Sequence, residues 1–383
     1  MRKILALVAV VAIGAVAASA AFAGNGTSIN TGSANVLTVA VYGDAPYGTT
    51  PTDTAEFAAT PAFIDSINAD PKVDLVLHVG DIHSGKQYCT QAYDQSVFDL
   101  WAQFKDPLVY TPGDNEWTDC HKTAEGGNVT DGAGSYLDYA NGNPIANLAL
   151  VRSIFFANPG VTLGGRKKAV ISQGQSFDPA HPSDAQFVEN VMWEQSKTLF
   201  VTVNVPGGSN NDADPWYGAP ITPSQTQEAG DRTGADLRWL EAAFTQADAD
   251  GVQGIVIMEQ ADMWDLDGKT AAHLTNYEPI VSSIASHTRA FGKPVLLFNG
   301  DSHVYRSDAP LVQGAPCVSE AASCTDGDAW TKHPFYNVPN LHRLTVHGST
   351  FPLEWLRLTV DPRADSASSS TAFGPFSWER IQP

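Results

Sequence analysis

Four short apolar runs, each leading to a Gly-Asp pair, constrain this chain more than any other feature of its sequence. Val36–Tyr42 precedes Gly43-Asp44, Val73–Val79 precedes Gly80-Asp81, Pro107–Thr111 leads to Gly113-Asp114, and Pro294–Phe298 leads to Gly300-Asp301. A fifth run, Gly254–Met258, ends in Glu259-Gln260 instead. Continuous apolar runs of this length predict strands buried on both faces. Helical patterns separate them at Ala55–Ile67, Ser96–Phe104, Ala235–Asp248 and Tyr277–Phe291. This alternation predicts an α/β fold with a largely parallel sheet and right-handed crossovers. Ligands bind such sheets beyond the carboxyl ends of the strands. One Gly-Asp there is ordinary turn chemistry; four at one edge of one sheet would bring Asp44, Asp81, Asp114 and Asp301 together.

Ionised carboxylates held that close repel one another, and a bound cation removes the cost. Oxygen-rich sites suit Mg²⁺, Mn²⁺ or Ca²⁺, and His303, two residues past Asp301, moves the preference towards Mn, Fe or Zn. The competing reading is a set of loop aspartates that only cap helices and close turns. Bulk charge agrees with a cation partner. The chain carries a formal charge of −20, which argues against nucleic acid or an anionic membrane as a bulk partner, since these need Lys/Arg stripes. With 43% hydrophobic and 17% charged residues the composition is that of a globular chain and not a disordered one.

Residues 1–23 read as a signal peptide: Arg2 and Lys3, an apolar stretch from Ile4, then Ala21-Phe22-Ala23 as a cleavage pattern. An uncleaved anchor is the other reading of this stretch. Export would leave residues 24–383 as one domain, secreted or extracytoplasmic, with an irregular insertion at about 121–235. Within it a helix is expected at Leu148–Phe156 and two antiparallel strands at Glu189–Glu194 and Thr198–Val205. Leu341–His347 and Leu353–Val360 read as a further hairpin, Asp365–Thr371 as a mobile stretch, and Phe373–Ile381 as a docked tail. The four cysteines suggest two disulfides in an exported chain. Local pairing of Cys317 with Cys324 would leave Cys89 with Cys120; zinc ligation is the rival, though no C-x₂-C pair occurs.

The order and spacing of the motifs resemble calcineurin-like metallophosphoesterases, including the purple acid phosphatase branch. Tyr42-Gly43-Asp44 is similar to the family's first motif and Val79-Gly80-Asp81 to the second, whose Asp bridges two metals. Gly113-Asp114-Asn115-Glu116 is similar to the third and Gly300-Asp301-Ser302-His303 to the last. The resemblance implies a four-layer α/β/β/α sandwich of two mixed sheets. It also implies two divalent metal ions (Mn, Fe, Zn, Mg or Ca) and hydrolysis of a small-molecule phosphate mono- or diester by a metal-bound hydroxide. Carried over by position, Asp44, Asp81 and His303 would hold one metal. Asp81, Asp114 and Asp301, with Gln260 as a further candidate, would hold the other.

The departures from the family pattern are several. Pro46, Asn115 and Asp301 stand where the family places histidines, the strand expected to deliver another His ends in Glu259-Gln260, and Asp114 replaces an Asn ligand. Asn115 holds the transition-state position but cannot donate a proton as an acid. His83, two residues past Asp81, is the nearest replacement, so the expected catalytic residues are His83 and Asn115. His121 and His78 are weaker candidates, and His78 is expected to point into the sheet. Arg306 could meet a substrate phosphate or pair with an acid such as Asp308; Tyr47 and Trp117 could wall a pocket or pack in the core. The rival function is a non-catalytic metal-binding relative with a structural or ligand-binding role. No G-x-S-x-G, G-x-x-x-x-G-K-[ST] or G-x-G-x-x-G sequence supports a nucleophile elbow, a P-loop or a dinucleotide site.

Overall fold

The computed structural model describes residues 35–211, 215–218, 220–266, 269–321 and 324–383. The expected signal peptide lies outside the described residues. The strands are β1 Leu37–Tyr42, β2 Val73–His78, β3 Pro107–Tyr110, β4 Leu163–Gly164, β5 Ile171–Ser172, β6 Val191–Gln195, β7 Thr198–Thr202 and β8 Gly254–Met258. They continue with β9 Val295–Asn299, β10 Arg306–Asp308, β11 Cys317–Ser319, β12 Leu341–Thr345, β13 Trp355–Val360, β14 Ala372–Phe373 and β15 Phe376–Ile381. One sheet runs β14-β15-β13-β1-β2-β3-β4 and the other β11-β10-β12-β9-β8-β7-β6-β5. Each sheet is mixed around a parallel centre: β1-β2-β3 in the first, and β7-β8-β9-β12 in the second.

Side-chain alternation along the strands builds the four layers. Val39 and Val41 of β1 face inward and meet Phe200, Val256, Met258 and Phe298 of the other sheet. Ala40 and Tyr42 of the same strand face outward onto Phe63, Ile64 and Ile67 of the helix Ala55–Ala69. On the far side, Val201, Ile255, Ile257 and Leu297 pack against Trp239, Ile280 and Ile284 of the helices Pro223–Asp250 and Glu278–Phe291. Every large aliphatic side chain so buried contributes about 1.5–3 kcal/mol from the removal of apolar surface from water.

The sequence-based strands and helices are present with shifted ends, and two expectations need correction. The Gly-Asp motifs do not line one edge of one sheet. Asp44, Asp81 and Asp114 follow strands of the first sheet, whereas Asp301 follows β9 of the second, so the loops converge because two parallel centres end side by side. Nor do Leu341–His347 and Leu353–Val360 form a hairpin. β12 pairs with β9 in the second sheet, and β13 pairs antiparallel with β1 in the first. Two adjacent runs separated by a turn look alike whether they pair or part.

The segment expected to be irregular, 121–235, supplies β4 to the first sheet and β5, β6 and β7 to the second. Its hairpin turns at Ser196 and Lys197, both with positive φ. The long helix starts at Pro223, well before the expected Ala235, because Thr222 accepts a hydrogen bond from the Gln225 backbone N–H and Pro223 opens the first turn. The tail does dock: β15 pairs with β13.

Candidate metal centre

The loops after β1, β2, β3 and β9 meet where the two sheets end together. Asp44, Asp81, Asp301 and His303 all adopt the left-handed region, at φ 48°, 58°, 69° and 60°. A non-glycine residue there costs on the order of 1 kcal/mol or more, so packing, not local preference, holds four site residues in place. His78 helps tie the first two loops. It is fully buried; the Gly80 N–H donates to its Nδ1 at 3.2 Å, which leaves the proton on Nε2 to donate to the Ala45 carbonyl at 2.9 Å. It thus spans from the Asp44 loop to the Asp81 loop from within the sheet.

Asp44, Asp81 and His303 each offer a ligand atom, and these atoms lie within 4.8 Å of one another. The Asp301 N–H donates to Oδ1 of Asp44 at 3.0 Å, while Oδ2 of Asp44 is buried with no hydrogen-bond partner among the described residues. Oδ2 of Asp81 is crowded with donors. It accepts from the Tyr47 hydroxyl at 2.6 Å, from Asn115 Nδ2 at 3.1 Å and from Gln260 Nε2 at 3.1 Å. The ring of Tyr47 also meets His303 edge-on, centroids 5.0 Å apart.

Asp114 and Asp301 complete the four. Gln260 Nε2 donates to Oδ1 of Asp114 at 3.0 Å, and the Asp262 N–H donates to Oδ2 of Asp301 at 3.0 Å. Oδ2 of Asp114 and Oδ1 of Asp301 both come close to Gly207, where an added methyl group would collide with them. The four aspartates therefore converge. Three belong to the first sheet and one to the second.

The electrostatics follow from this crowding. Burial, joined by neighbouring carboxylates, pushes Asp44, Asp81 and Asp114 well above the usual carboxylate range. Burial raises Asp301 to about 7 and lowers His303 to about 4. Each shift disfavours the charged form of its group, and the group of Asp44, Asp81 and His303 is relieved by a divalent cation, which favours ionised acids and a neutral imidazole. The donor set, two carboxylates and one imidazole around an unsatisfied Asp44 oxygen, fits such an ion.

The other candidates fall as follows. Asn115 Nδ2 is shared among Asp81, the Tyr47 hydroxyl and the His83 carbonyl, at 3.1, 2.8 and 3.0 Å; it positions Asp81. His83 is fully buried against Tyr93, its Nδ1 lies 3.2 Å from the Ser84 carbonyl, and its Nε2 has no hydrogen-bond partner. The carbonyl partner places the proton on Nδ1, and burial lowers the pKa to about 4. Arg306 does not face a substrate: it is fully buried and pairs with Asp262 at 3.0 Å, while Arg343 holds Asp308 through two hydrogen bonds at 3.0 and 2.7 Å. Trp117 is core, fully buried beneath Arg232.

Sequence reasoning left Tyr47 open between pocket and core. Its spacing from Asp44 was the available signal, but the partner, Asp81, comes from another strand. Asp262 and Gly207 had no signal: each acts through its backbone amide.

The cysteines pair as expected, Cys89 with Cys120 and Cys317 with Cys324, at Cα separations of 5.8 and 5.9 Å. The first bond joins the loop after Asp81 to the loop after Asp114.

A model of the calcineurin-like phosphoesterase family matches residues 37–236. The chain belongs to that family. The matched span holds the Asp44, Asp81 and Asp114 motifs and ends before Asp301 and His303, which the fold returns to the same point. No curated protein gives a match to the chain. Among solved structures, a purple acid phosphatase isolated from yellow lupin (Lupinus luteus) seeds is similar at 14% identity and a TM-score of 0.41, over 86% of this chain and 50% of that one. This calcineurin-like chain thus spans half the length of the lupin protein. No helix of its described residues is long and apolar enough to cross a membrane.

Proposed function

We propose that this chain is an exported, metal-dependent hydrolase of small phosphate mono- or diesters. One observation carries the reading: Asp44, Asp81 and His303 bring ligand atoms within 4.8 Å at the shared carboxyl edge of both sheets. A cation held there supplies Lewis acidity, lowering the pKa of a coordinated water and screening phosphoryl oxygens. The chain's own residues do the rest. Tyr47 and Asn115 orient Asp81 by direct hydrogen bonds, and the Asp301 N–H orients Asp44. The two disulfides support an oxidising, extracytoplasmic setting.

Proton supply to the leaving group is where this chain differs from its family pattern. Asn115 has no acidic proton, and His83 carries its proton on the nitrogen turned to the Ser84 carbonyl. Without a strong general acid, rate should depend steeply on the leaving group, so aryl phosphates should be hydrolysed much faster than alkyl phosphates. The test is turnover of p-nitrophenyl phosphate and its diester by purified chain loaded with Mn²⁺, Zn²⁺, Fe, Mg²⁺ or Ca²⁺. Asp81→Asn should abolish it. The lack of an acid also favours a second reading, a metal-binding relative without catalysis. Ion uptake with inertness on every ester would select that reading.

A further inference from the structure

We propose that this chain holds a single cation, and that the amide of Gln260 and the backbone of Gly207 close the family's second metal position. The inference rests on the first position, Asp44, Asp81 and His303, being the one that is filled. Two carboxylates of the second position already share one donor of the protein. Gln260 Nε2 stands between two carboxylates, 3.1 Å from Oδ2 of Asp81 and 3.0 Å from Oδ1 of Asp114. An ion binding both carboxylates would have to take the place of that NH₂ group.

The amide cannot turn to offer its oxygen. The Gly207 N–H donates to Gln260 Oε1 at 2.6 Å, and a flip would set N–H against N–H. Its stem is packed closely against Gly80, where an added methyl would sit 2.6 Å from Gln260 Cγ and 2.7 Å from its Cβ. Gln260 is fully buried. On the other side, Oδ2 of Asp114 and Oδ1 of Asp301 both come close to Gly207, so that a methyl added there would sit 2.4 and 2.8 Å from them. Oδ2 of Asp301 accepts from the Asp262 N–H at 3.0 Å. By contrast, Oδ2 of Asp44, at the first position, has no hydrogen-bond partner among the described residues. One position is built for a cation and the other for a neutral donor.

Metal counting tests this directly. Full-length purified chain, stripped with chelator and titrated with Mn²⁺ or Zn²⁺ by calorimetry, should bind one ion per chain, with elemental analysis agreeing and Mn²⁺ giving the EPR spectrum of an isolated ion. Asp44→Asn should remove that ion. Gln260→Glu keeps the shape and the acceptor for the Gly207 N–H but replaces the donor with a carboxylate, and it should bind a second ion. Two ions in the unaltered chain, or a spin-coupled Mn²⁺ spectrum, would overturn the inference and leave the hydrolase reading standing. No ion at all would overturn both. A Gln260→Glu chain that stays at one ion would refute the role given to Gln260, and an ion retained in Asp44→Asn would refute the site assigned.

Discussion

The hydroxyl of Tyr47 donates a 2.6 Å hydrogen bond to Oδ2 of Asp81, across a gap of 34 residues in the chain. The same oxygen receives Asn115 and Gln260, so the phenol fixes one carboxylate of the candidate ion-binding group rather than holding the fold. Partners behind a metal ligand are worth about 10–100-fold in affinity. Tyr47→Phe should therefore weaken Mn²⁺ or Zn²⁺ binding by that factor in a calorimetric titration. The melting temperature of the metal-free chain should move little, because the phenyl ring keeps its contact with His303. Unchanged or tighter binding would show that the phenol competes with the ion instead of orienting its ligand.

Behind Asp301 lies a buried ion network whose disruption should be costly. Asp262 accepts from Arg306 at 3.0 Å and pairs with Arg343, all three side chains being essentially inaccessible. Ser302 adds a hydrogen bond to Asp262 at 2.9 Å. Removing one partner of a buried pair leaves an uncompensated charge, at about 3–5 kcal/mol. Asp262→Ala should lower the urea midpoint accordingly, with Arg306 and Arg343 left facing each other. Asp74→Asn, which touches only a well-exposed pair with Arg166 at 3.9 Å, should leave the midpoint nearly unchanged.

Much of this architecture is legible in the sequence because burial on both faces leaves a plain mark. LTVAVY, GIVIM and VLLFN are short apolar runs rich in β-branched residues or bounded by turn signals, which read as interior strands with the following residues at a sheet edge. That places Asp44, Asp81, Asp114 and Asp301 at strand ends, but their convergence depends on two sheets ending side by side, since Asp301 follows a strand of the second sheet. What the sequence hides is which sheet a strand joins: nothing in Leu341–Thr345 or Trp355–Val360 says that they part company. Contacts made by backbone amides, such as Gly207 on Gln260 and Asp262 on Asp301, are equally silent, because any residue carries an N–H. The role of Tyr47 depends on tertiary distance alone.

Two buried histidines should each add an acid-sensitive contribution to stability, against the opposite contribution of the buried carboxylates. Burial lowers His78 and His342 to about 4 in the folded chain, against about 6.5 when exposed. Between those values the unfolded chain binds more protons than the folded one, so stability is present in full above about pH 6.5 and is lost as pH falls towards 4. Each site can account for up to about 3 kcal/mol. His342, whose Nε2 lies 2.9 Å from the Ser307 hydroxyl, is not one of the candidate metal residues and, unlike His78, does not tie their loops, so it gives the cleaner test. Unfolding free energy measured against pH should rise less steeply between pH 4 and 6.5 in His342→Gln than in the unaltered chain. An equal slope in both would mean that His342 is protonated in the fold.

The two disulfides should differ in what their removal does. Cys89–Cys120 closes 31 residues and Cys317–Cys324 only 7. In the chain-entropy model these are worth about 3.7 and 2.4 kcal/mol, so the difference in stability alone is modest. Position separates them more sharply. Cys89 lies against the Asn115 carbonyl, and its own N–H donates to Asp138 at 3.1 Å, so the first bond braces the loop whose Asn115 amide orients Asp81. The double substitution Cys89→Ser, Cys120→Ser should therefore lower both the melting temperature and the affinity for Mn²⁺. Cys317→Ser, Cys324→Ser should lower the melting temperature with the affinity kept. Equal metal affinity in both variants would mean that the loop after Asp114 holds Asn115 in place without the covalent brace.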